Sequence, residues 1–132
     1  MEKQKILIAD DSEMNRALLV DILENQYDIV EADNGAAAID LLTQCGGDFS
    51  LLLLDIMMPE MDGFEVLAYI NRYHLNDTLA VIMISADDSP ANIKRAYDLG
   101  AFDYISRPFD AAIVRRRISN TMLLYARQRH LE

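Results

Sequence analysis

Ser50-Leu51-Leu52-Leu53-Leu54-Asp55-Ile56-Met57-Met58-Pro59-Glu60-Met61-Asp62-Gly63 decides how the rest of this chain is read. Its first part is a continuous apolar run, too short for an ordinary helix and bounded by turn formers. That pattern predicts a strand buried on both faces, as in a parallel sheet. The strand ends in a carboxylate, Asp55, and the Pro and Asp-Gly that follow enforce a loop. Open parallel α/β sheets bind ligands outside the carboxyl ends of their strands. Asp55 therefore stands where such a sheet does its chemistry, although a strand-capping aspartate without a role would have the same position.

The chain around this stretch has 132 residues, 52% hydrophobic and 26% charged. This is the size and composition of one soluble domain with its own core, residues 1–132. No apolar run has the length of a membrane span, so no membrane association is expected. The start, Met1-Glu2-Lys3-Gln4-Lys5, leads into a strand-like segment with no secretory leader. The single cysteine, Cys45, has no partner for a disulfide or for metal-ligand spacing. It reads as a reduced bystander and points to a cytoplasmic location. A net charge of −10 argues against direct binding of nucleic acid.

Outward from the central stretch, strand-like and helix-like patterns alternate. Strands are expected over residues 5–9, 27–32, 50–55, 80–85 and 102–105, the second nearer a sheet edge. Ser12 suits the N-cap of a first helix whose Met14, Leu18 and Ile22 recur at i, i+4. Asn34-Gly35 predicts a turn, and the Ala-rich segment after it a helix ended by Gly46-Gly47. A third helix over residues 64–73 carries Phe64, Leu67 and Ile70 on one side. Ser89 and Pro90 suit N-cap and N1 of a fourth helix, with Gly100 at C′. Asp110 caps a last helix. Repeated βα units imply an α/β fold: a five-stranded parallel sheet, order 2-1-3-4-5, with right-handed crossovers and helices on both faces.

On that topology the ends of strands 1 and 3 are neighbours. Strand 1 ends in Asp10-Asp11, strand 3 in Asp55, strand 4 in Ser85, and strand 5 runs into Arg107-Pro108. A nucleotide site would place glycines after strand 1. Two acids in that loop invite a cation instead. Like charges about 4 Å apart cost roughly 4 kcal/mol at an effective dielectric near 20, and a divalent ion relieves this. One or two carboxylates with several waters suit Mg²⁺ better than Ca²⁺. A carboxylate so placed can attack a phosphoryl group. Ser85 can donate to a phosphoryl oxygen, and Arg107 can neutralise the charge that develops.

The chain resembles the receiver domain of two-component response regulators. The residues that carry the resemblance are Ala9-Asp10-Asp11-Ser12, the stretch from Asp55 to Gly63, Ser85-Ala86, and Gly100-Ala101-Phe102-Asp103-Tyr104-Ile105-Ser106-Arg107-Pro108-Phe109. Each motif is weak alone; together, in this order and spacing, they are specific and span nearly the whole chain. Such receivers are themselves standard examples of the flavodoxin-like 2-1-3-4-5 order, so the order and the resemblance are one argument. The resemblance implies Asp55 as phosphoacceptor. It implies Mg²⁺ held by Asp10, Asp11, Asp55 and the backbone carbonyl of Met57. Ser85 would grip the phosphoryl group, and Ser85 and Tyr104 would form the switch. It implies a histidine kinase or phosphotransfer protein as donor and a regulatory output rather than an enzymatic one. It also implies a cis Arg107–Pro108 bond.

Where the family has lysine, this chain has Arg107. Arginine keeps the charge but is longer and planar. That leaves a phosphorylation-independent receiver as an alternative. An aspartyl-nucleophile phosphatase would need a second acid where Met57 stands. A flavin-binding module would need a glycine-rich loop in place of Asp10-Asp11. Asp87 and Asp88 read either as solvated loop acids or as groups tuning attack by water; Met57 can shield the phosphoryl group while Met58 fills the core. The last helix, about residues 110–130, contains no Gly or Pro. Ile113, Val114 and Ile118 are expected on the sheet. Met122, Leu123, Leu124 and Tyr125 cannot all face one core. An exposed remainder predicts a weak homodimer or a path to an output domain outside this chain.

Overall fold

The computed structural model describes residues 3–45 and 48–131. Five strands form one parallel sheet: β1 (Lys5–Ala9), β2 (Asp28–Ala32), β3 (Phe49–Asp55), β4 (Ala80–Ser85) and β5 (Asp103–Ser106), in the order β2-β1-β3-β4-β5. Between and after them lie α1 (Glu13–Leu23), α2 (Gly35–Cys45), α3 (Gly63–Arg72), α4 (Pro90–Asp98) and α5 (Ala111–Leu131). This is the expected fold. The Gly46-Gly47 helix stop lies outside the described residues.

β3 is the sheet's centre because it is apolar on both faces. Leu51, Leu52, Leu53 and Leu54 are all fully buried, each contributing about 2 kcal/mol of transfer free energy as an upper estimate. Alternate residues feed two separate cores. Leu7, Leu52, Leu54, Val81 and Met83 join α2, α3 and α4 on one side. Ile6, Leu51, Leu53, Ile82 and Ile84 join α1 and α5 on the other.

The helix ends follow local chemistry. Ser12 Oγ accepts from the Asn15 N–H at 3.2 Å and Ser89 Oγ from the Asn92 N–H at 3.3 Å, as expected. Asp110 Oδ1 accepts from the Ile113 N–H at 3.1 Å at the start of α5. Gly100 has φ +100° at the end of α4, the left-handed conformation that only glycine adopts without cost. Asp62, read from sequence only as a loop former, is the N-cap of α3. It accepts from the Glu65 N–H at 2.9 Å, and Glu65 Oε1 accepts in return from the Asp62 N–H at 3.4 Å. Asp62→Ala is expected to cost about 1 kcal/mol in chemical unfolding, the usual worth of an N-cap, with the core left intact.

Four expectations require correction. On α1 the sheet-facing residues are Leu19 and Leu23; Met14 is 73% and Leu18 49% exposed. An i, i+4 spacing identifies stripes but not which one faces inward, and residues 17–20, 22 and 23 offer more than one. β2 starts at Asp28, not Tyr27, because the Tyr27 N–H is still bonded to the Leu23 carbonyl of α1 at 3.1 Å. β5 runs one residue later than expected, so that Ser106 pairs with Ser85. On α5, Val114, Ile118 and Met122 are buried while Ile113 is half exposed, which corrects its expected place on the sheet. Leu123 and Leu124 are exposed, and Tyr125 packs edge-on against Phe102 at 5.9 Å.

Candidate functional site

The acids converge as the topology requires. β1 lies beside β3 with Ala9 opposite Leu54, so Asp10 and Asp11 leave the sheet next to Asp55. Oxygens of Asp10, Asp11 and Asp55 lie within 4.8 Å of one another. Asp10 and Asp55 are buried, at 0% and 1% exposure, and Asp11 is exposed. An all-oxygen set of three carboxylates fits a hard divalent cation such as Mg²⁺.

The two buried carboxylates are each oriented by the backbone just after them. Asp10 Oδ1 accepts from the Ser12 N–H at 2.9 Å. Asp55 Oδ1 accepts from the Met57 N–H at 3.3 Å, which brings the Met57 backbone beside Asp55 while its side chain stays exposed. Met58 is buried, in the role of core filler expected of it.

Arg107 closes the cluster. Its N–H donates to the Ser85 carbonyl at 2.9 Å, which anchors it at the β4 end, and the Arg107–Pro108 bond is cis as expected. Its Nη2 lies 2.5 Å from Asp10 Oδ2 and 3.1 Å from Asp55 Oδ2. The Asp55 carboxyl is pushed up to about 6, chiefly by burial and then by the negative charge of Asp10. The Arg107 cation and the Met57 N–H work against that rise.

On the other side of Asp55, Ser85 is fully buried at the end of β4, its Oγ accepting from the Asp87 N–H at 3.0 Å. Tyr104 is 5% exposed and donates its hydroxyl to the Asp87 carbonyl. Burial raises the Tyr104 phenol above its usual value, the Ser85 hydroxyl beside it works downward, and Asp87, Asp88 and Asp55 add to the rise.

One participant was not read from the sequence, and another has a different role from either of those expected of it. Arg16 donates to the Asp10 carbonyl at 2.7 Å and to Glu31 Oε1 at 3.1 Å, tying the acidic loop to β2. Its signal was a cation one turn inside α1, close enough to reach back over the N-cap. Asp87 is neither a merely solvated acid nor turned to the site. Its two oxygens accept from the Ser89 N–H and from Asn92 Nδ2, both at 2.9 Å, and hold the start of α4.

A family model for the response regulator receiver domain matches residues 6–119. The chain belongs to that family. The receiver is 35% identical over 123 residues to the chemotaxis protein CheY of Halobacterium salinarum, covering 92% of this chain and 98% of that protein. It is 34% identical to the transcriptional regulatory protein SrrA of Staphylococcus aureus, covering 89% of this chain but 51% of the relative. With histidine kinase P4 of Formosa agariphila it shares 33% identity over 92% of its own length and 9% of that protein. The receiver thus corresponds to the whole of one relative and to a fraction of longer ones. Among solved structures it superposes on a CheY-like receiver of Methanospirillum hungatei with a TM-score of 0.87 at 23% identity, covering 96% of this chain and 99% of that one. It also superposes on a chain of the CheX-CheY-BeF3-Mg complex of Borrelia burgdorferi with a TM-score of 0.82 at 30% identity, covering 88% and 87%. No described helix is long and apolar enough to cross a membrane.

Proposed function

We propose that this receiver accepts a phosphoryl group on Asp55 from a histidine kinase or phosphotransfer protein, in the cytoplasm, and that the phosphorylated form alters affinity for a partner. The observation that carries this reading is the gathering of Asp10, Asp11 and Asp55 at adjacent strand ends with Ser85 and Arg107 beside them. Asp10, Asp11, Asp55 and the Met57 carbonyl would hold Mg²⁺, which when bound would supply charge neutralisation for the incoming phosphoryl group. Asp55 is the nucleophile. Its oxygen forms the new O–P bond as the P–N bond to the donor histidine breaks, and the imidazole nitrogen keeps the electron pair and takes a proton. Ser85 donates its hydroxyl to a phosphoryl oxygen, and Arg107 neutralises charge spread over the others. The loop from Ser85 to Asp88, with Tyr104 held on it, is the segment that responds.

The output is regulatory rather than turnover of a substrate. The exposed, apolar Met57 side chain, where an aspartyl phosphatase needs an acid, supports this. The exposed Leu123 and Leu124 on α5 support contact with a second copy or an output domain. Sedimentation with and without beryllofluoride should show a phosphorylation-sensitive homodimer if a second copy is the partner.

The site assignment is tested by intact mass after incubation with acetyl phosphate and Mg²⁺. One phosphoryl group is expected on the wild type, none without the metal, and none on Asp55→Asn. Label on Asp55→Asn equal to the wild type would remove Asp55 from its role. A receiver that acts without phosphorylation is the competing reading, favoured by the Arg107 bridge across two acids. A wild type that takes up no label with Mg²⁺ and acetyl phosphate would decide for it.

A further inference from the structure

We propose that Arg107 is a tethered counter-cation that keeps the two buried acids occupied, so that Mg²⁺ uptake at this site requires its release. This rests on the reading of the three acids as a metal site. The four oxygens of Asp10 and Asp55 are all accounted for. The two Oδ1 atoms take the Ser12 and Met57 N–H groups. The two Oδ2 atoms take a single nitrogen, Arg107 Nη2. The loop backbone therefore occupies one oxygen of each acid, and the remaining pair is bridged by a group carrying its own positive charge. A divalent ion and a guanidinium cannot share that pair of oxygens at contact distance, because like charges repel most where water is excluded. Asp11 stands exposed beside the bridge and is the ligand that an entering ion meets first.

The bridge is also made to be exchanged. Arg107 Nε is buried without a hydrogen-bond partner, so the guanidinium holds its place by the two acids rather than by a full set of donors. The Arg107 Cζ is 5.9 Å from the centre of the Phe109 ring, an aromatic face on which a displaced guanidinium can rest. Arginine suits this role better than lysine. It is weakly hydrated and planar, and one terminal nitrogen carries two N–H groups, one for each acid; an ammonium at the same position is a compact, strongly hydrated charge. Coupling between the two cations is reciprocal: an Arg107 that opposes Mg²⁺ is loosened by Mg²⁺ to the same degree.

The test is calorimetric Mg²⁺ titration of the wild type, Arg107→Lys and Arg107→Gln, at one pH and ionic strength, with NMR of the Arg107 guanidinium in the wild type. Mg²⁺ should bind the wild type most weakly and Arg107→Lys more tightly. Arg107→Gln should bind at least about tenfold more tightly than the wild type, the equivalent of one charge-assisted hydrogen bond lost from the metal-free state. The guanidinium should be held in the metal-free protein and rotate freely at saturating Mg²⁺. Equal affinity of the wild type and Arg107→Lys would reduce the effect to net charge and overturn the proposal. So would a guanidinium still held at saturation. Absence of Mg²⁺ binding by all three proteins would overturn the metal reading together with the proposal, which distinguishes the two failures.

Discussion

Asp55→Asn is expected to make the metal-free receiver more stable at pH 7 by about 1–3 kcal/mol, while abolishing phosphoryl uptake. The native Asp55 carboxyl titrates at about 6 against a usual value of 3.8, with burial as the main cause and Asp10 next. The folded protein therefore holds this proton more tightly than the unfolded chain. Stability from this group is complete below about 3.8, falls as pH rises through 3.8 to 6, and is lost above that window. A shift of about two units corresponds to roughly 3 kcal/mol at neutral pH. Asparagine removes the buried charge, but Arg107 then loses a partner, which offsets part of the gain. Unfolding by urea at pH 7 and pH 4 measures the effect: the difference between the two proteins should be large at pH 7 and small at pH 4. Mg²⁺ should narrow the gap at pH 7, because an ion that binds only the folded wild type stabilises it by mass action. A variant no more stable at pH 7 than at pH 4, relative to the wild type, would show that burial of the charge is not the dominant cost.

Gly63→Ala is expected to destabilise the fold by about 2–4 kcal/mol and to disable the site with it. A Cβ on Gly63 would lie 2.3 Å from the Asp55 carbonyl oxygen, 2.8 Å from Ile56 Cα and 3.0 Å from the Asp55 carbonyl carbon. All three are main-chain atoms and cannot rotate aside. The Gly63 N–H also donates to the Ile56 carbonyl at 2.8 Å, so the start of α3 cannot retreat without breaking that bond. The chain has to move at Asp55, the proposed phosphoacceptor. Thermal unfolding should show the loss, and acetyl-phosphate labelling of the surviving folded fraction should fall well below that of Asp62→Ala. The latter change removes the N-cap of α3, three residues after Pro59, but leaves the close approach intact. A Gly63→Ala protein within about 0.5 kcal/mol of the wild type, the range of an ordinary surface change, would contradict this.

Gly63 also marks how far the sequence could be read. Asp-Gly after the central strand signalled a loop; in the fold Asp62 caps α3 and Gly63 is its first residue. That the glycine is there because α3 packs its first residue onto the backbone of Asp55 is a fact of two chain segments meeting, and no pattern in one of them reports it. The same holds for α1. Its periodicity was visible, but Met14 and Leu18 proved exposed and Leu19 and Leu23 buried, since the short loop from β1 sets the helix rotation.

By itself the sequence determined the alternation of strands and helices, the two-sided burial of β3, most helix caps, and the acids and cation that end the strands. These are local properties: run length, residue spacing, and the geometry that Ser, Asp, Pro and Gly impose on adjacent peptides. Only the tertiary structure decided that Arg107 spans Asp10 and Asp55, that Arg16 ties the acidic loop to β2, and that Asp87 serves the start of α4 instead of the site. Those assignments depend on which of several polar partners lies within about 3 Å once the sheet has assembled, a distance set by strand register and helix rotation together rather than by any residue's neighbours along the chain.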